Sequence, residues 1–334
     1  MLYQIGRACK YYNESACKEY AKKAFRIMIS IGARITALLL RIYTYPYRKK
    51  HMSLSRTVKV DHKPYDPPKN YRHEIIDANG TAVEVLKPSN QNSAVCIVQF
   101  HGGGHTQAMS GMYRKVAERL CKLTECPVYS IDYKIGNGLV FPSVHDECYS
   151  AYIALTENQL KRKEIIAIGD SFGANLMLST CLRLRTVGIP LPKALIAISP
   201  YIDLAAIGDS YKKNCYRDPL YSLPKNQKLE EHEQFIRRKT PYCGNTSPFD
   251  SKLSPIYAEY YDFPDMLIQC GELETSASDS ETLYLKAKSA GVKVEFSEYG
   301  GMWHDFLYLT PFLKESKTAW KEIQKFIFKI RNRL

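Results

Sequence analysis

No C-x-x-C pair occurs among the ten cysteines of this 334-residue chain. That absence excludes zinc-ribbon and thioredoxin-like patterns, and the scatter of the thiols offers no disulfide framework. Cys96 and Cys270 fall inside apolar, strand-like runs, where a thiol behaves as a small buried hydrophobe. Met1-Leu2-Tyr3-Gln4 lacks a basic stretch leading into an apolar one, so no secretory signal is expected. The sequons at Asn13, Asn79 and Asn245 then read as chance, and the expected setting is reducing, intracellular and cytoplasmic. Neither G-x-x-x-x-G-K-[ST] nor G-x-G-x-x-G is present, which leaves a nucleotide cradle without support. There is no internal repeat, and neither a metal nor a redox cofactor is implied.

Acidic residues are scarce at the start of the chain. Residues 1–70 hold 15 Lys and Arg against 4 Asp and Glu, so only +2 of the formal charge of +13 belongs to the remaining 264 residues. No nucleic-acid module accompanies this excess. The charge licenses an anionic surface as partner, membrane lipid above all, met peripherally through residues 1–50. Residues 15–45 read as helical, with Lys22, Arg26, Ser30, Arg34 and Arg41 on one narrow stripe. Phe25, Ile27, Met28, Ile29, Ile31, Ile35, Leu38, Leu39 and Leu40 cover the rest, and Arg34 in the middle argues against a membrane span. Two readings stay open: a cap helix whose apolar side covers a cleft, or an amphipathic helix in a membrane interface with its basic stripe toward the headgroups. Arg48-Lys49-Lys50-His51 and the prolines Pro64, Pro67 and Pro68 then form a connector to a body spanning 71–334.

From residue 72 the pattern turns to strands. A hairpin is predicted over His73–Asp77 and Thr81–Leu86 around Asn79-Gly80. The continuous apolar run Ala94–Phe100 reads as a buried central strand, and further strands are predicted at Val128–Asp132, in the apolar run that ends in Gly169-Asp170-Ser171, and at Ala194–Ile198, Met266–Cys270 and Val292–Ser297. Helical patterns fall near 108–123, 143–160, 277–290 and 312–332. This alternation predicts an α/β fold with a mostly parallel central sheet covered on both faces. A Tyr- and Lys-rich interval at about 205–255 breaks the alternation and reads as an insertion over the strand ends. The hydrophobic fraction of 45% is ample for one large core.

The chemistry converges on Gly169-Asp170-Ser171-Phe172-Gly173, which ends an apolar run and passes directly into a helical pattern. A sharp strand-to-helix turn strains the backbone and leaves no room for neighbouring Cβ atoms, so Gly169 and Gly173 fit there and Ser171 stands at the tip. A serine needs a base. His304, in a loop between the last strand and the last helix, has the best context of eight histidines. The base needs an acid to fix its tautomer. The loop after Met266–Cys270 offers Glu272, Glu274 and Asp279; Glu274 is favoured for its reach, and Asp279 is the alternative. The glycines of His101-Gly102-Gly103-Gly104-His105 supply close-approaching backbone N–H groups, and Gly103, Gly104 and Phe172 are the candidates to hold a developing oxyanion. His105, Asp170 and Trp303 are candidates for the substrate pocket. The pattern predicts serine-based acyl transfer, with an amidase or deacetylase, or a non-catalytic binding protein on the same scaffold, as alternatives.

These motifs resemble the hormone-sensitive-lipase-like α/β-hydrolases, a group that includes arylacetamide deacetylase and many microbial carboxylesterases. The resemblance covers about residues 75–330. It rests also on Asp132-Tyr133-Lys134, Phe141-Pro142, Ser199-Pro200-Tyr201-Ile202-Asp203-Leu204, Ser254-Pro255-Ile256-Tyr257-Ala258 and Gly301-Met302-Trp303-His304. It implies an α/β-hydrolase fold, a cap built from the N-terminal helices and the 205–255 insertion, and hydrolysis of uncharged small-molecule carboxylic esters. Four positions depart from the family pattern. Glu274 stands where Asp is usual, His105 where an aromatic is common, Ala174 where a third glycine is usual, and Gly138 where Glu is common.

Overall fold

The computed structural model describes residues 29–49, 65–89, 93–104, 107–136, 138–161, 163–223 and 241–333. Eight strands form one sheet in the order β1-β2-β4-β3-β5-β6-β7-β8. They are β1 (Tyr71–Ala78), β2 (Thr81–Pro88), β3 (Val95–Phe100), β4 (Val128–Asp132), β5 (Glu164–Asp170), β6 (Ala194–Ile198), β7 (Asp265–Gly271) and β8 (Val294–Tyr299). Strand β2 runs antiparallel to both of its neighbours, and all pairs from β4 to β8 are parallel. The β1–β2 turn places Asn79 at φ 57° and Gly80 at φ 82°, the two left-handed residues that a tight hairpin matching the strand twist requires.

Side chains alternate across the central strands into two apolar layers. Cys96, Val98, Ile165, Ala167, Leu195 and Ala197 enter one; Val95, Ile97, Ile166, Ile168, Ala194 and Ile196 enter the other. Because both faces are buried, these strands are apolar at most positions, which is why they read as nearly unbroken runs. Helices α3 (Ser143–Asn158), α4 (Phe172–Thr186) and α6 (Ala277–Ser289) cover the first layer, while α2 (Gly111–Thr124) and α8 (Lys314–Arg331) cover the second. Two short helices, α5 (Asp209–Lys213) and α7 (Phe306–Leu309), lie in the loops at the strand ends.

In-register pairing aligns Phe100, Gly169, Ala197, Ile268 and Phe296 in one row across β3, β5, β6, β7 and β8. The loops that follow these parallel strands therefore all emerge on one edge of the sheet, the usual place for a site in such a fold.

The N-terminal helix α1 (Ile31–Lys49) departs from expectation. Its apolar side does not cover a cleft. Ala33 and Thr44 are buried against the body, whereas Ile31, Ile35, Leu38, Leu39 and Ile42 are all more than half exposed. Polar contacts fix this orientation. The Ser30 hydroxyl accepts from the Ala33 N–H, in the manner of an N-cap, and donates to the Glu315 carboxylate, which also accepts from the Ser30 N–H at 2.6 Å. At the other end the Arg41 guanidinium donates to the carbonyls of Tyr216 (3.4 Å) and Arg217, and the Thr44 hydroxyl donates to the Pro219 carbonyl at 2.6 Å. Arg41, expected to face headgroups, thus faces the insertion. Lys22 and Arg26 lie outside the described residues.

Helix α4 approaches the sheet closely at Gly173, where an added Cβ meets the Phe100 carbonyl oxygen at 2.1 Å and the His101 carbonyl oxygen at 2.5 Å. Because rigid backbone is what it meets, Gly173→Ala is expected to cost at least about 2 kcal/mol. Thermal unfolding monitored by circular dichroism checks this; an unchanged midpoint would show that the β5–α4 junction has slack.

Candidate active site

Strand β5 ends at Asp170 and helix α4 begins at Phe172, so Ser171 alone makes the reversal. It adopts φ 51° and ψ −122°, a left-handed backbone that a non-glycine residue rarely occupies. Its N–H donates to the Ile198 carbonyl at 2.9 Å, and its carbonyl accepts from the Tyr201 N–H at 3.1 Å, so β6 and its loop hold the turn from both sides. Gly169 permits the return of α4, since a Cβ there meets the Gly173 carbonyl at 2.6 Å.

The His304 Nε2 lies 2.8 Å from the Ser171 Oγ, and its Nδ1 lies 3.2 Å from Glu274 Oε2. With Nδ1–H donated to the carboxylate, Nε2 is left to accept the serine proton. Glu274 is fully buried. Its Oε1 accepts from the Gly271 N–H at 2.5 Å and from the Ser199 hydroxyl at 2.7 Å, so the longer side chain folds back over its own loop and presents Oε2 to the imidazole. Gly271 lets the two loops meet, because a Cβ there falls 2.5 Å from the Met302 carbonyl. From the insertion, the Asn214 amide donates to the carbonyls of Glu272 (2.9 Å) and Glu274 (2.7 Å).

Asp279, the alternative acid, does not reach His304. Its Oδ2 accepts from the N–H groups of Ile202 and Asp203, each at 2.9 Å, and from the Tyr211 hydroxyl at 3.1 Å. It is an anchor for the loop after β6. Asp170 and Trp303 also differ from expectation. Asp170 is fully buried and accepts from the Gly102 N–H and the Tyr113 hydroxyl, each at 3.1 Å, so it ties β5 to the glycine loop and lines no pocket. Trp303 is fully buried in the layer beneath α2 and α8. His105 lies outside the described residues.

The glycine loop is braced from below. The Tyr133 hydroxyl donates to the carbonyls of His101 (2.8 Å) and Gly102 (3.1 Å), and the His101 ring stacks on Tyr133 with centroids 4.0 Å apart. His101 Nδ1 donates to the Gly102 carbonyl at 2.8 Å, and burial pushes its pKa down to about 4, so it stays neutral. Gly103 and Gly104 stand at φ 100° and 59°, conformations that suit glycine, and a Cβ on Gly104 would meet nothing within 4 Å. The loop thus carries two left-handed glycines on a rigid base beside the serine.

Sequence reasoning missed three residues around the imidazole. Asp305 Oδ2 lies 3.3 Å from His304 Nε2. Tyr221, from the insertion, meets the His304 ring edge to face at 5.1 Å. Asp218, on the same segment, is fully buried and accepts from the N–H groups of Leu220 (2.8 Å) and Tyr221 (3.4 Å). Asp305 was findable, being next to His304; nothing in the Tyr-rich insertion marks Asp218 or Tyr221. Burial alone would lower the His304 pKa, but Asp305, then Glu274 and Asp218, outweigh it and raise it to about 10. Burial raises Asp218 to about 6 and Asp305 to about 7.

Comparison with known proteins bears on the family and the fold. A family model described as the alpha/beta hydrolase fold matches residues 97–308. An esterase from Acinetobacter venetianus is 32% identical over 230 residues, 69% of this chain and 73% of that protein. An acetyl-hydrolase from Streptomyces hygroscopicus is 26% identical over 74% of this chain and 79% of its own. Among solved structures, a hormone-sensitive lipase from a metagenome library superposes with a TM-score of 0.75 at 26% identity, covering 89% of this chain and 98% of the other.

The two acidic loop residues are expected to separate cleanly on mutation. Asp279→Ala orphans two buried N–H groups and a hydroxyl, and should destabilise the fold by about 2–4 kcal/mol while leaving kcat largely intact. Glu274→Ala orphans the Gly271 N–H and the Ser199 hydroxyl and so also costs stability, but it should in addition lower kcat on the order of 10³–10⁴-fold. Denaturant melts and ester kinetics on both variants check this. Full activity in Glu274→Ala would move the acid elsewhere.

Proposed function

We propose a serine-hydrolase mechanism for this chain, which belongs to the α/β-hydrolase fold family and, within it, to the hormone-sensitive-lipase-like carboxylesterases. The enzyme hydrolyses carboxylic esters. In the proposed sequence His304 Nε2 takes the Ser171 proton as the oxygen attacks the ester carbonyl. The N–H groups of Gly103, Gly104 and Phe172 hold the oxyanion. Glu274 steadies the imidazolium, which then protonates the departing alcohol and leaves an acyl group on Ser171. Water, deprotonated by the same His304, cleaves that acyl-enzyme and releases the acid. The observation that carries this reading is the 2.8 Å Ser171–His304 hydrogen bond, between residues 133 apart in the chain.

The substrate follows from the charge around the base. Glu274, Asp218 and Asp305 surround His304, an environment hostile to a carboxylate beside the scissile bond, so the proposed substrate is an uncharged ester with a short- to medium-chain acyl group or a lipid ester. A membrane surface is its proposed source. No helix among the described residues is long and apolar enough to cross a bilayer. The apolar residues at 31, 35, 38, 39 and 42 instead form one outward stripe on α1, with the exposed Phe312 next to Leu313, whose side chain approaches Gly32. The basic excess of residues 1–70 complements anionic headgroups, so we place the enzyme peripherally on an intracellular anionic membrane, with the apolar stripe toward lipid. Of the two readings this keeps the interfacial one, with Arg41 of its basic stripe turned to the insertion.

Two experiments test these proposals. Ser171→Ala should lower hydrolysis of p-nitrophenyl butyrate by about 10⁴-fold or more without changing the unfolding midpoint; an active variant would refute the mechanism. The triple variant Leu38→Ser, Leu39→Ser, Ile42→Ser should partition onto phosphatidylserine-containing vesicles on the order of tenfold less while cleaving the soluble ester normally. Vesicle binding equal to wild type would remove α1 as the contact.

A further inference from the structure

The geometry points to Asp305 as a positioning residue for the His304 base: a second carboxylate, on the serine side of the imidazole, that sets the pH at which the base becomes free. The inference rests on the serine-hydrolase reading above. Glu274 addresses Nδ1, whereas Asp305 Oδ2 lies 3.3 Å from Nε2, the same nitrogen that faces Ser171. The Glu274 carboxylate and the Asp305 backbone are tied through one hydroxyl. Ser199 Oγ donates to Glu274 Oε1 at 2.7 Å and accepts from the Asp305 N–H at 3.0 Å. Both residues of that link are in left-handed backbone, Ser199 at φ 44° and Asp305 at φ 51°, and Asp is among the few side chains that tolerate it.

Asp305 is more than nine-tenths buried, and its Oδ1 has no hydrogen-bond partner among the described residues. A carboxylate taken out of water with half its acceptors unmet needs a compensating charge, and protonated His304 is the cation in contact with it. The other groups facing this pair are acids and phenols: Glu274 from the β7 loop, Asp218 and Tyr221 from the insertion, Asp170 from β5, and Tyr113 and Tyr308 behind them. Before reaction, neutral His304 donates Nδ1–H to Glu274 and accepts the Ser171 proton at Nε2. After transfer, Nε2–H has two acceptors in range, the departing alkoxide oxygen and Asp305 Oδ2. Asp305 therefore stabilises the imidazolium formed in the step, and by the same attraction keeps resting His304 protonated to higher pH. Removing the charge has two opposite effects: the base is freed at lower pH, and it is weaker once free.

Asp305→Asn is the informative variant, since Asn tolerates the left-handed backbone and keeps the N–H to Ser199. His304 is titrated directly by NMR in histidine-labelled protein, with His304→Gln assigning its signal, and the pH profile of kcat/KM is measured alongside. In Asp305→Asn the His304 pKa and the acidic limb of the profile are both expected to fall by about one pH unit, and the alkaline plateau of kcat by about three- to tenfold, with KM nearly constant. Asp218→Asn, which removes a charge without a contact at Nε2, should shift both by less. An unmoved His304 titration in folded Asp305→Asn, or a shift no larger than that of Asp218→Asn, would overturn the inference. Failure of the serine mechanism is seen separately, as a Ser171→Ala enzyme that stays active whatever His304 does.

Discussion

One residue of strained backbone organises the site. Ser171 at φ 51° occupies a conformation that costs on the order of 1–3 kcal/mol, and it persists because hydrogen bonds from both sides of the turn over-determine it. Strand β6 supplies the acceptor for its N–H, and the loop after β6 supplies the donor to its carbonyl. The same loop is pinned by Asp279, and the neighbouring glycine loop by Asp170. Two buried carboxylates thus do structural work beside a third that addresses the imidazole. Among the described residues both take their hydrogen bonds from backbone N–H and hydroxyl donors, which hold position without competing for the histidine.

Much of this was legible in the chain. Buried parallel strands have few polar positions, so their runs stand out, and the close approach at Gly173 and the turn at Asn79-Gly80 require residues that sequence displays openly. The glycine loop, Ser171, Glu274 and His304 could be read because each follows a strand, and parallel register delivers strand ends to one edge. What sequence concealed was direction. Asp170 and Trp303 are adjacent to Ser171 and His304 in the chain, yet their side chains turn inward to Tyr113 and to the layer beneath α2 and α8. Neighbourhood in sequence says little about which face of a loop a residue occupies.

Helix α1 teaches the same lesson in larger form. Periodicity gives two faces without saying which one the body takes. On the body side Arg41 and Thr44 bind carbonyls while Ala33, Ala37 and Leu40 pack on the core, and the stripe of isoleucines and leucines is left outside. Those partner residues are scattered through the chain and have no local signature.

Arg41 and Thr44 grip Tyr216, Arg217 and Pro219, while Asp218 and Tyr221 on that same short stretch form the wall beside His304. Part of the catalytic chamber is therefore hung from a helix that looks, on a linear map, like a dispensable leader. A recombinant product trimmed to begin at the first strand would keep every reacting atom and lose the bracket that aligns their surroundings.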